Sequence, residues 1–233
     1  MRVVPHLPPA LRWDHNAHYH RWLLGQLPAA PERVLEAGCG AGVLAARIAE
    51  RAGRVDAVDR SPAMIAQARA LHPQAPRVRW LTGDLLDPGL PLDPAGYDVV
   101  TALSSLHHLP LRPGLARLAG LLRPGGVLVI VGLYRNASAA EYAFEAFRQP
   151  ANAVVGVVMA ARGRAGKPHD AGMPVWPAEA SWREITAAAR DLVPGARLRR
   201  RFFWRYSLLW HRPMPSQKPA NSRLRLYSGC KQK

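Results

Sequence analysis

The chain reads as an α/β protein with a doubly wound, mostly parallel, seven-stranded sheet and one antiparallel strand near the C-terminus. Three observations carry this. The apolar run Val34-Leu35-Glu36-Ala37 enters the glycine-rich turn Gly38-Cys39-Gly40-Ala41-Gly42, and helical apolar spacing follows over residues 44–50. Short apolar strands then alternate with amphipathic helices as far as Gly132. Finally, residues 198–203 and 206–210 alternate as two strands with a short connection, an antiparallel pair that completes the sheet.

Taken in order, residues 13–24 place Trp13, Ala17, Tyr19, Trp22, Leu23 and Leu24 loosely on one helical face, with Asp14 or a neighbour as a cap and Pro28 beyond the end. His15, His18 and His20 invite a metal reading, but 15 and 18 share a helical face while 20 points elsewhere, and no carboxylates join them. No metal is expected; the segment reads as a lid helix, with His15 and Tyr19 as residues facing a ligand. In the glycine turn, the backbone can approach a ligand without a Cβ in the way, and the next helix offers unpaired N–H groups and a positive dipole end. Residues 54–59 form a second buried strand ending in Asp59, the place for a carboxylate that accepts from ribose hydroxyls. Two strand tips so spaced describe a nucleoside pocket.

Ser61 and Pro62 open the next helix as N-cap and first helical residue, with Met64, Ile65 and Ala68 on one face. Residues 77–82 are a third strand ending at Gly83-Asp84, residues 88–96 a Pro/Gly loop, and residues 97–102 a fourth strand leading into Leu103-Ser104-Ser105-Leu106-His107-His108-Leu109. Residues 115–122 form an amphipathic helix closed by Arg123-Pro124-Gly125-Gly126, and residues 127–132 a wholly apolar fifth strand. Residues 139–161 are alanine-rich and helical in pattern, with Tyr142, Phe144 and Phe147 as anchors and Pro150 as a break. Residues 163–174 read as a loop and residues 181–192 as a capped helix. In Arg199-Arg200-Arg201, strand alternation sends neighbouring side chains to opposite faces, which makes a solvated edge rather than an anion patch.

The 233 residues hold one α/β domain with a full core, not two. With only Cys39 and Cys230, a structural disulfide is not expected and a reducing, cytoplasmic setting is the simpler reading. No signal peptide stands at residues 1–11, and the apolar stretch 151–161 is too short to cross a bilayer. The net charge of +16 suggests nucleic acid, but eleven Lys or Arg and no acid fall in residues 197–233, so 11 of the 16 excess charges sit there. Lys167 is the only lysine before residue 214, so the lysine-bearing stretch 214–233 reads as an appended, disordered basic tail.

The segments Glu36-Ala37-Gly38-Cys39-Gly40-Ala41-Gly42, Asp59, Gly83-Asp84-Leu85, Leu106-His107-His108-Leu109 and Leu122-Arg123-Pro124-Gly125-Gly126 resemble, in order and spacing, the motif set of class I S-adenosylmethionine-dependent methyltransferases with a Rossmann-like fold. The likeness is strongest to the branch with an LHHL segment, many of whose members methylate small molecules. Residues 13–20 and 205–210 are similar to the flanks of a bacterial subgroup of that branch with largely unassigned substrates.

The resemblance implies that Gly38, Cys39 and Gly40 pack on the methionine part of S-adenosylmethionine and that Glu36 holds the turn and favours a cation; a strand-end acid can also simply cap backbone N–H groups. It further implies that Asp59, followed by Arg60, takes the ribose, that Met64 and Leu85 sandwich the adenine, that Asp84 accepts from its amino group, and that Ser104 lies near the methyl. His107 or His108 stands where a base with a near-neutral pKa would serve a hydroxyl or carboxyl acceptor, or else shapes the pocket. The domains implied are a lid helix at residues 1–30, a methyltransferase domain at 31–213 with a substrate cover at about 136–175 carrying Phe144 and Phe147, and the tail at 214–233.

The expected partner is a small-molecule methyl acceptor, with no specific nucleic acid and no membrane, for a monomer or homodimer. Leu103-Ser104-Ser105-Leu106 replaces the Asn/Asp-Pro-Pro-aromatic segment of enzymes that methylate amino groups, which argues against a nucleobase amine. Two rivals remain. A nicotinamide oxidoreductase would want a glycine at Val43 and has no use for the LHHL segment. An RNA-modifying methyltransferase is motivated by the basic C-terminus, which by itself gives salt-sensitive, nonspecific binding.

Overall fold

The computed structural model describes residues 14–137, 154–155, 157–158, 161, 176–202 and 204–215. Seven strands form one sheet: β1 Arg33–Ala37, β2 Arg54–Asp59, β3 Val78–Thr82, β4 Tyr97–Leu103, β5 Leu122–Leu133, β6 Arg197–Arg201 and β7 Arg205–His211. Their order is β3-β2-β1-β4-β5-β7-β6. β1 to β5 pair in parallel, and β7 runs antiparallel to both β5 and β6, so one strand of the seven is reversed. The chain winds outward from β1 to β3 and then crosses back to β4, which leaves a crevice between the carboxyl ends of β1 and β4.

Helices cover both faces, and the central strands are accordingly buried and mostly apolar: every residue of β4 is buried, Asp98 and Thr101 included. On one face α1 His15–Leu24, α2 Val43–Ala49 and α3 Pro62–Leu71 pack Leu23, Leu44, Ile48 and Ile65 against Val34, Val55, Val99 and Val129. On the other, α4 Leu111–Leu121 and α5 Trp182–Leu192 pack Leu115, Leu118, Ile185 and Ala188 against Leu35, Val100, Leu128 and Leu208. The caps follow the sequence. Asp14 accepts from the Asn16 and Ala17 amides, Ser61 accepts from Met64 N–H with Pro62 behind it, and Ser181 with Glu184 forms a reciprocal capping box.

Several boundaries differ from the sequence reading. α4 begins at Leu111 rather than at residue 115, because Pro113 falls in the first turn, where its missing N–H costs nothing. β5 begins at Leu122, which pairs with Tyr97 before a bulge resets the register at Val99–Val127, so the Pro-Gly-Gly turn lies inside the strand. α1 begins at His15, and Trp13 lies outside the described residues, as do the Phe144 and Phe147 cover, most of residues 139–161, the 163–174 loop and most of the tail. On β6, Arg200 lies over the rings of Tyr134 and Trp182, while Arg201 lies over Trp22. The arginine run thus divides between the two faces, as alternation requires.

Candidate active site

The floor of the crevice is the turn after β1. Gly38, Gly40 and Gly42 all have positive φ, at 76°, 51° and 79°, and a Cβ on Gly38 would run into the Ser105 side chain. The Gly38 and Cys39 amides both donate to the Val58 carbonyl, at 2.8 and 2.9 Å, which pins the turn to β2. Asp59 completes the stitch: its Oδ2 accepts from Gly40 N–H at 2.8 Å and its Oδ1 from Ser61 N–H at 2.9 Å. Asp59 is therefore partnered before any ligand arrives. Each carboxylate oxygen still has a lone pair to offer.

Glu36 is the charge problem of the site. Its residue is 2 % exposed, and Oε2 is buried with no hydrogen-bond partner. Burial pushes its carboxyl well above the ordinary range, the Asp59 charge adds to this, and a hydrogen bond from the Ala45 backbone only partly opposes it. An acid held so would gain most from a cation placed in the crevice.

The opposite wall is the tip of β4. Ser105 Oγ donates to the Ala37 carbonyl at 2.5 Å, joining the two strand tips. Ser104 sits in the left-handed region at φ 54°, uncommon for a residue with a side chain, and its Oγ donates to Asn16 Oδ1 at 2.8 Å. A short 3-10 turn, Leu106–His108, follows. Its two rings lie 4.1 Å apart, but His108 lines the crevice and His107 does not. The near-neutral pKa expected of the pair is not what the surroundings give. Burial first, then the His108 and Arg205 charges, lower His107 to about 4; burial and the Arg60 charge lower His108.

The crevice is roofed by α1, in a phase the sequence reading did not find. Asp14, Asn16 and His20 line it, whereas His15 does not and Tyr19 turns into the core, its hydroxyl donating to the Phe202 carbonyl at 2.6 Å. Asn16 and His20 are four residues apart and so share a helical face; once Asp14 fixes the start of the helix, that pairing could have been read. His20 is lowered to about 4 by burial and by Arg47, whose Nη1 stands 3.4 Å from its Nδ1. Trp176 also lines the crevice and carried no signal in the sequence.

The crevice that results encloses about 1210 Å³, its open mouth included. It brings together Glu36, Gly38, Cys39, Gly40, Asp59, Arg60, Met64, Asp84, Leu85, Ser104 and His108 from the residues the sequence singled out.

A sequence profile of the methyltransferase domain matches residues 34–126, the stretch that builds this crevice. An uncharacterized methyltransferase of Mycobacterium bovis is 34% identical over 212 residues, spanning 87% of this chain and 98% of its own. This chain belongs to the methyltransferases. A ubiquinone biosynthesis O-methyltransferase of Stutzerimonas stutzeri is 29% identical to this methyltransferase over 156 residues, 57% of this chain and 61% of its own. Among solved structures, a putative S-adenosylmethionine-dependent methyltransferase from Listeria monocytogenes superposes with a TM-score of 0.58 at 14% identity, over 84% of this chain and 97% of its own. A geranyl diphosphate methyltransferase in complex with S-adenosylmethionine superposes at 0.54 with 20% identity, over 79% and 66%. At such identities these two establish the fold of the methyltransferase and nothing further.

Proposed function

We propose that this methyltransferase, a class I enzyme whose methyl donor is S-adenosylmethionine, transfers the methyl group to a hydroxyl, carboxyl or similar nucleophile of a small molecule. The orphaned oxygen of Glu36 carries the reading of the donor site. A buried carboxylate oxygen with no partner, beside a glycine turn, fits the ammonium end of the donor, and Asp59 one strand over fits its ribose hydroxyls. Met64 and Leu85 supply apolar walls for the adenine. Asp84, whose Oδ1 already accepts from Leu86 N–H, offers its other oxygen to the adenine amino group.

The sulfonium supplies a good leaving group when bound. With the donor bound, the acceptor oxygen would bond to the methyl carbon as the carbon–sulfur bond broke, the electron pair leaving with sulfur. The protein therefore has to align the reactants and keep water out. Asn16, His20 and Trp176 roof the reaction centre, and Ser104 stands at the strand tip beside it. For a hydroxyl acceptor, His108 is the group placed to receive the proton. It faces the crevice, and its lowered pKa keeps the ring neutral and ready to accept. His107, outside the crevice, serves to shape the wall.

The oxygen-directed reading draws on His108 at the strand tip, the absence of an amine-methylating segment after β4, and the O-methyltransferase among the relatives. The test is calorimetry of the purified protein with S-adenosylmethionine, S-adenosylhomocysteine and NAD. Binding of the first two and not the third is expected. A protein that takes NAD and ignores both adenosyl compounds would not be working as this enzyme.

A further inference from the structure

The polar atoms at the reaction end of the crevice form a network whose hydrogen-bond directions can be worked out. Asn16 Oδ1 receives two donors: Ser104 Oγ at 2.8 Å and Arg205 Nη2 at 2.9 Å. A guanidinium can only donate, so the Asn16 atom facing it is the carbonyl oxygen and the amide cannot be flipped. Both lone pairs of that oxygen are thereby committed. Asn16 is left with the two N–H bonds of Nδ2 as its free polar group, on a side chain that lines the crevice next to Ser104.

Three elements converge to hold this one amide. Asn16 stands in the first turn of α1, where Asp14 caps the helix through its backbone N–H. Ser104 holds a left-handed backbone conformation at the tip of β4, and its amide is tied to Val131 at 2.7 Å. Arg205, buried at the start of β7, stacks its guanidinium 5.9 Å from the centre of the Tyr19 ring. Non-glycine strain at a strand tip persists only where the surroundings over-determine it, and such positions cluster at functional sites.

From this arrangement we infer that Asn16 orients the methyl acceptor through its N–H bonds, and that the acceptor is an oxygen compound, a phenol, enol or carboxylic acid reacting as its oxyanion, rather than an amine. The inference rests on the methyl-transfer reading above. Arg205 is a positioning residue: it touches no reactant and fixes which end of Asn16 faces the crevice. Of the carboxylates nearby, Asp14 engages the Asn16 and Ala17 amides through Oδ1, and each oxygen of Asp59 already accepts from one backbone N–H group. In the transfer itself the Asn16 hydrogens stay on nitrogen. The acceptor's own proton, if present, goes to His108 or solvent.

The experiment is ligand-observed NMR on protein saturated with S-adenosylhomocysteine, using 4-nitrophenol above its pKa, benzoate and benzylamine as probes of similar size. At least one oxyanion probe should bind about tenfold tighter than benzylamine, as expected when a site built to donate meets a group that cannot accept. Asn16→Ala should abolish that preference, and Asn16→Asp, which replaces the donors with an acceptor, should reverse it, while S-adenosylhomocysteine affinity stays at the wild-type value in both. Arg205→Gln should erode the preference with the same affinity for the adenosyl compound, a split that a purely structural role would not produce. A preference unchanged in Asn16→Ala, or benzylamine binding as well as the oxyanions to wild type, overturns the inference and leaves the donor site standing. Loss of S-adenosylhomocysteine binding in Asn16→Ala overturns it by placing Asn16 in the donor site. Failure of the wild-type protein to bind S-adenosylhomocysteine removes both readings together.

Discussion

Glu36 and Asp59 stand at adjacent strand ends but answer to different physics. Burial raises the Glu36 carboxyl, so the folded protein holds a proton there that the unfolded chain releases above its ordinary value of 4.5. The protein without ligand should therefore lose stability as pH rises from about 4.5 toward the raised folded value, a window in which the folded state binds more protons than the unfolded. Glu36→Gln should flatten that slope and raise Tm at pH 8 in thermal melts, while weakening S-adenosylhomocysteine by about tenfold through loss of one charge-assisted contact. A Tm at pH 8 no higher in the variant would show that the carboxylate is already compensated. Asp59 is a stitch as well as the proposed ribose acceptor. Asp59→Ala should weaken both adenosyl compounds more than tenfold by calorimetry, through the lost ribose contact, and should also lower Tm because Gly40 and Ser61 lose their acceptor. The histidines run opposite to Glu36. His20, buried, and His107, half-buried, are both lowered from 6.5 to about 4 and stand neutral, so their contribution is present above pH 6.5 and lost as pH falls through 4. Melts between pH 6.5 and pH 4 should steepen for wild type and flatten for His20→Gln.

At the scale of elements, the antiparallel strand β7 is accommodated by a single missing side chain. Gly132 on β5 pairs with Tyr206 on β7, and a Cβ there would lie 2.5 Å from the Tyr206 hydroxyl and Cζ, with the ring 2 % exposed and unable to yield. Gly132→Ala should cost about 1–3 kcal/mol in denaturant unfolding, the usual range for overpacking a tight core; a loss under a few tenths would mean the sheet edge gives way freely. That pairing illustrates what the sequence could and could not tell. The strands were legible because a parallel sheet covered on both faces needs mostly apolar runs, and β2 fell at residues 54–59 as read even though Asp56 interrupts its pattern. The glycine turn and the caps at Asp14, Ser61 and Ser181 were legible because each is a local solution, whereas the stitch that Asp59 makes to Gly40, 19 residues away, was not read. The phase of α1 was not. Tyr19 and the histidines drew attention as chemical groups, but which side of a short helix faces the crevice is set by tertiary packing of Leu23 and Tyr19. Arg205, Trp176 and the lock on Asn16 were illegible for the same reason: they meet across 189 residues in the case of Asn16 and Arg205.

The molecule keeps its stability and its chemistry at opposite ends of the sheet. Every group assigned above to donor or acceptor lies at the carboxyl ends of the strands, whereas the heaviest ionic network lies toward their amino ends. Asp56 on β2 is 1 % exposed and receives a bidentate pair from Arg79 at 2.8 and 2.8 Å, the Tyr97 hydroxyl at 2.6 Å, and Arg54 at 3.4 Å. Burial, and then its bond to Asp56, raise the Tyr97 phenol above its ordinary value. The Asp56 charge is thus fully hydrogen-bonded, and the arginines reach it from the edge with their far sides wet, so their own desolvation is small. Removing the charge while keeping the shape, in Asp56→Asn, breaks the bidentate geometry and leaves Tyr97 with a weaker acceptor. A loss of about 2–4 kcal/mol is expected, below the full cost of orphaning a wholly buried pair because the guanidiniums can turn back to water. Cofactor affinity should not move, since Asp56 and Asp59 are separated by the apolar Ala57 and Val58 and share no partner. Urea unfolding and calorimetry on one preparation read both quantities. A variant that lost stability and S-adenosylhomocysteine affinity in proportion would mean that the two ends of the sheet are mechanically coupled, and the crevice would then have to be understood as held open by the far end of its own strands.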